Sequence, residues 1–283
     1  MSFNADILNN VNLDETPLPA SSYNELPHID DMRDTASKNP RAHAQLLGLI
    51  ASHGLAQQFS IHLIHKHFNI PEGRVMVYET VRGPNHPDFV LCSPREPANV
   101  ENLRGLYFRA ISGGKMAAFE YTTESGEDMS KHANFVAKFS QTVLDLGVQN
   151  VFALTAKRFH TDVLTEFEMS DVISTILVNN PTWLPSADCK ASTSTDWIAT
   201  PDYAAYANAA DDGVPGIISL KCIETRDTPK HYNVTCSTTR NGKHYQQKPA
   251  MPSGELLLDG KPLSPDSEAF AMISRARALV DAV

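Results

Sequence analysis

Between Phe59 and Thr123 the chain offers five short β-like segments, FSIHLIHKHF, RVMVYETV, FVLC, LYFRAI and KMAAFEYTT, separated by turn sequences such as NIPEG, RGPNHPD and SGG. No helical pattern stands between neighbours, so the crossovers that parallel βαβ units need are missing. This stretch predicts an antiparallel meander. Gly113-Gly114 suits a hairpin turn, and no P-loop spacing follows that would make it a phosphate cradle.

Helical patterns are few. Asn39 and Pro40 open one over 40–53, with Leu46, Leu47 and Ile50 on one face and His53-Gly54 as its stop. Ser130 opens a second over 130–146, with Phe135, Val136, Phe139, Val143 and Leu144 apolar and Gly147 at its end. Ser264-Pro265-Asp266 opens a third over 265–282. Residues 1–37 are polar, proline-bearing and aperiodic, which predicts an extended N-terminal arm. The fold class expected is α+β, a mostly antiparallel sheet with three main helices in a single domain over 38–283. Residues 179–215, rich in Pro, Ser, Thr, Asp and Ala, read as a long irregular excursion, after which GIISLKCIE, HYNVTCSTT and KHYQQ resume strand character.

Charge excludes some partners. A formal net charge of -9, without a basic stripe, argues against nucleic acid and anionic membrane surfaces. No basic and apolar leader opens the sequence and no long uncharged apolar run interrupts it, so a soluble, cytoplasmic protein is expected, with self-association left open. Cys92, Cys189, Cys222 and Cys236 are widely spaced without a CxxC, which predicts reduced thiols and no cysteine metal ligand.

The chemistry concentrates in IHLIHKHF, residues 61–68, where three imidazoles interrupt an apolar run. Read as a strand, this stretch puts His65 and His67 on one face, roughly 7 Å apart at Cα, and His62 on the other. Two neutral imidazoles so placed can bind one Zn or Fe ion, and the third ligand is sought in Glu72, Glu79, His231 or His244. The same pair can instead act as metal-free general acid and base, or serve structure alone. His65, His67 and Glu79 are the catalytic candidates. In VFALTAKRFHTDVLTEFEM, period-two alternation sets Phe159, Thr161, Val163, Thr165, Phe167 and Met169 against His160, Asp162, Glu166 and Glu168, the second set expected as a solvated face.

H-K-H at 65–67, followed by Glu72, resembles the first half of the cupin metal motif, with Phe59 and Glu79 where that motif carries glycines. The resemblance implies a metal held inside a β-barrel, so a cupin-like barrel with added helices is the alternative fold. LIHKHF, PEGRVMVYE and FEYTTE also resemble segments of a group of uncharacterised fungal proteins, which implies a fungal source and draws His65, His67 and Glu79 together. Two functions follow as expectations. One is a small-molecule enzyme of specialised metabolism with a histidine-lined cleft and a divalent metal. The other is a non-catalytic ligand-binding or scaffold protein with structural histidines.

Overall fold

The strands expected between 59 and 122 form, but they do not pair in a simple meander. The computed structural model describes residues 13–83, 86–156, 164–169, 173–179, 189–199 and 216–225, with 237–240, 243–246, 257–258, 261–262 and positions 264, 266 and 270 besides. Among the described residues eleven strands make one sheet: β1 (Leu13–Asp14), β2 (Phe59–Leu63), β3 (Val75–Gly83), β4 (His86–Arg95), β5 (Arg104–Ile111), β6 (Lys115–Thr122), β7 (Phe152–Ala156), β8 (Leu164–Met169), β9 (Ser174–Asn179), β10 (Cys189–Ala199) and β11 (Gly216–Thr225). Sequence neighbours pair antiparallel as β3–β4, β5–β6, β8–β9 and β10–β11. Gly113 and Gly114, both at positive φ, make the β5–β6 turn as expected.

The order of these hairpins was not legible. Strand β6 pairs with β5 along one part and with β3 along another, so the succession β6-β3-β4-β9-β8-β11-β10-β2-β7-β5 returns to β6. The sheet curls round on itself. It is also mixed rather than purely antiparallel, because β1–β6, β3–β6 and β8–β11 run parallel. After β4 the chain passes through a 3-10 turn at Pro97–Asn99 and crosses to β5, on the far side of β3 and β6. That crossing sets β3 and β6 in the same direction.

Four α-helices are described: α1 (Ala20–Asn24), α2 (Thr35–Lys38), α3 (Pro40–Ser52) and α4 (Ala133–Asp145). Pro40 lies in the first turn of α3, and Gly54 follows its end at φ 69°, a conformation that glycine adopts without strain. Ahead of α4 a 3-10 turn at Met129–His132 is capped by Asp128, which accepts from the Ser130 N–H, rather than by Ser130 itself. The helix expected over 265–282 lies almost wholly outside the described residues. No helix among the described residues is long and apolar enough to cross a membrane.

Residues 13–38 are not simply extended. Ala20, Tyr23, Leu26 and Ile29 are buried, and Asn24 bonds both backbone groups of Ile70. The Lys66 N–H donates to Pro27 O at 2.9 Å and the Ile29 N–H to Lys66 O at 3.0 Å. This segment closes over the chain just beyond β2. Within 179–215, expected to be irregular, 189–199 is strand β10; β-branched Thr193 and Thr195 and the aromatic Trp197 suit a pleated surface whatever the polarity around them.

The sheet's two faces differ in chemistry. Leu46, Leu47 and Ile50 of α3 and Phe135, Val136, Phe139 and Val143 of α4 pack on Phe59, Ile61, Leu63, Phe152 and Leu154. The opposite parity, His62, Met76, Tyr78, Cys92, Tyr107, Ala153 and Thr155, turns into the ring. Gly105 marks a tight point on the helix-covered side: a Cβ there would stand 2.8 Å from Phe108 Cε1 and 2.9 Å from Ala118 Cβ. Gly105→Ala is expected to cost about 1–3 kcal/mol through overpacking. A urea midpoint lowered at unchanged slope is the result expected, and an unchanged midpoint contradicts it.

Candidate metal centre

Strand β2 ends at Leu63, three residues into the histidine stretch, because the backbone then leaves the sheet to bond the N-terminal segment through Lys66. The alternation expected over 61–68 therefore fails. His62 points into the ring by strand parity, and His65 and His67 reach the same interior by the turn of the chain. The rings of His62 and His65 stack at 5.2 Å between centroids, and those of His65 and His67 meet edge-on at 5.1 Å. All three are buried.

The carboxylate that joins them comes from β8. His67 Nε2 lies 3.3 Å from Glu166 Oε2, and His67 Nδ1 lies 3.5 Å from Glu168 Oε2. Glu166 and Glu168, expected on a solvated face, are 2% and 3% exposed and lie inside the ring, while His160 and Asp162 of the same expected face lie outside the described residues. His65, His67 and Glu166 each offer a ligand atom within 4.8 Å of the others. With metal–ligand bonds of about 2.0–2.1 Å, two ligand atoms on one ion stand about 3.3 Å apart in a tetrahedron and about 2.9 Å in an octahedron. The His67–Glu166 separation of 3.3 Å is compatible with two ligands of one ion and equally with a direct imidazole–carboxylate contact.

The surroundings support both neutral imidazole and bound cation. His65 donates from Nδ1 to Leu63 O at 2.7 Å, which leaves Nε2 as the nitrogen available to an ion and holds the ring in place. Burial, and next the nearby His67 and His62 rings, hold His65 well below the usual imidazole value, so it is neutral at pH 7. Glu166 is fixed in turn by the Thr175 hydroxyl, which donates to Oε1 at 2.7 Å. Beyond Thr175 the polar contacts continue through Cys92 and Tyr78 to Glu120, whose Oε2 accepts from the Tyr78 hydroxyl at 3.0 Å. Tyr23, from the N-terminal segment, also bonds Glu120. Desolvation, then the charge of Glu166, pushes the Glu120 carboxyl up to about 8. Burial raises the Cys92 thiol and the Tyr78 and Tyr107 phenols well above their ordinary values, so these groups stay protonated.

Four acidic side chains, Glu120, Glu166, Glu168 and Asp196, are thus buried in this interior, and among the described residues no lysine or arginine is buried with them.

The other expected site residues lie elsewhere. Glu79 is buried, but shares the parity of Val75 and Val77 on the outward face of β3, where Arg95 pairs with it. It does not join the histidines. Glu72 is exposed on the turn before β3. His244 belongs to β13 (Lys243–Gln246), which pairs with β12 (Ser237–Arg240) in a separate two-stranded sheet, and its side chain is not among those described. His231 lies outside the described residues. Cys92 is a free, buried thiol, and the side chains of Cys189, Cys222 and Cys236 lie outside the described ones. Glu166 was missed as a candidate ligand, although a signal was present: Glu166 and Glu168 are spaced two apart in sequence, as His65 and His67 are. Comparison with family models, with curated proteins and with solved structures returned no match to this chain.

Proposed function

We propose that this protein is a metal-dependent enzyme acting on a small molecule, with one divalent ion, Zn or Fe, held by His65, His67 and Glu166 inside a cupin-like β-barrel. The observation that carries the reading is the convergence of two imidazoles and a carboxylate on one point in a buried interior. Two nitrogens and one oxygen leave coordination positions for a substrate, and this set suits Zn or Fe better than Mg or Ca. A bound ion supplies Lewis acidity toward an oxygen-bearing substrate. The chain's own groups do the rest: Leu63 O and Thr175 orient ligands, while Tyr23 and the segment around it exclude water from that end.

Burial of all three ligands favours one further reading, an ion that stabilises the fold without acting on a substrate. Elemental analysis of protein refolded with Zn(II) or, anaerobically, Fe(II) tests what both readings share. One ion per chain is expected, and none overturns both. Binding of small oxygen-donor ligands to the loaded protein separates them, since an ion without an exchangeable position takes none.

A further inference from the structure

His62 is buried, and neither of its ring nitrogens makes a hydrogen bond among the described residues. The ring is nonetheless held in a definite orientation. It stacks on Tyr107 at 3.8 Å with 22° between planes, and its other neighbour is His65, at 5.2 Å and 29°. Its Nδ1 stands 3.7 Å from Asp196 Oδ2, the oxygen that also accepts from the Thr155 hydroxyl at 2.9 Å. Thr155 and Asp196 come from β7 and β10, the two strands that flank β2. The sheet therefore places a carboxylate on one edge of the imidazole, beside the metal ligand His65, and leaves the second nitrogen to face something else.

We propose that His62 hydrogen-bonds the small molecule that completes the metal's coordination, with Asp196 as the positioning residue that favours the ring hydrogen on the nitrogen beside it. This rests on the metal reading above. Asp196 is an acceptor, so it favours the tautomer with hydrogen on Nδ1 and leaves Nε2 as an acceptor. The partner must then be a donor. That defines a ligand class: a small molecule that binds the ion through oxygen and carries an N–H or O–H beside that oxygen, as hydroxamic acids and hydroxy acids do. A plain carboxylate offers the oxygen without the donor.

Cobalt(II)-loaded protein, followed by its visible absorption, tests this with acetohydroxamic acid and acetate as probes. His62→Phe keeps a ring for Tyr107 to stack on and removes both nitrogens. It should hold one cobalt per chain, bind acetohydroxamic acid about tenfold or more weakly than wild type, and bind acetate equally well. Asp196→Asn, which retains an oxygen for Thr155 but no longer selects the tautomer, should lose part of the same preference. Unchanged hydroxamate affinity in His62→Phe with cobalt retained overturns the proposal while the metal reading stands. Loss of cobalt from folded His62→Phe also overturns it, since His62 is then itself a ligand. Wild-type protein that takes up no cobalt overturns the metal reading and this proposal with it.

Discussion

His67→Ala is expected to abolish stoichiometric metal binding, lowering affinity about a hundredfold or more, and to destabilise the metal-free chain as well. The first effect follows from losing one of the three groups that can hold the ion. The second follows from packing. His67 lies between Glu166 and Glu168, 3.3 and 3.5 Å from their oxygens, and alanine removes both contacts and leaves a cavity. Losing the buried polar contacts in this way costs about 1–3 kcal/mol. Elemental analysis and urea unfolding read the two effects separately. A variant that keeps one ion at wild-type affinity would remove His67 from the site, and one that keeps wild-type stability would show that the two glutamates do not depend on its ring.

Glu120→Gln should act in the opposite direction and only at higher pH. The Glu120 carboxyl is shifted from 4.5 up to about 8, so between those values the folded chain keeps a proton that the unfolded chain has released. Native stability from this group is therefore fully present below about pH 4.5, falls as pH rises toward 8, and levels off above it. At about 1.36 kcal/mol per pH unit the accumulated loss is on the order of 5 kcal/mol. Glutamine keeps an oxygen for the Tyr78 hydroxyl and cannot ionise. Relative to wild type, the variant should differ little at pH 5 and be more stable by several kcal/mol at pH 9. His65 contributes a slope of the other sign below pH 6.5, because its folded value is depressed, but both chains share it and it cancels in the difference. Parallel stability curves for the two chains would show that Glu120 is not held neutral.

The residues that stayed close to their sequence reading are those whose partners are near in the chain. Pro40 and Gly54 bracket α3 through groups within one turn of each helix end, and Gly113-Gly114 turns β5 into β6 across three residues. The apolar faces of α3 and α4 show the period of 3.6 that their packing requires. Strand period two was equally visible at 164–169, but its meaning was reversed: alternation tells which residues share a face and cannot tell whether that face meets water or the inside of a closed sheet. Glu166 and Glu168 were assigned to solvent for that reason.

The candidate site divides the same way. Local sequence determined that imidazoles would crowd near the end of β2 and that the helices would cover one face of the sheet. Only tertiary structure decided that His62, His65 and His67 converge, since the N-terminal segment draws the chain out of β2 after Leu63. Tertiary structure also decided that Glu166 and not Glu79 meets them. Glu79 is closer in sequence, but parity on β3 turns it outward to Arg95, whereas Glu166, about a hundred residues from His67, arrives through the β4–β9–β8 succession. Strand pairing rewards partners that only chain closure brings together, and closure depends on the whole curled sheet rather than on any one segment.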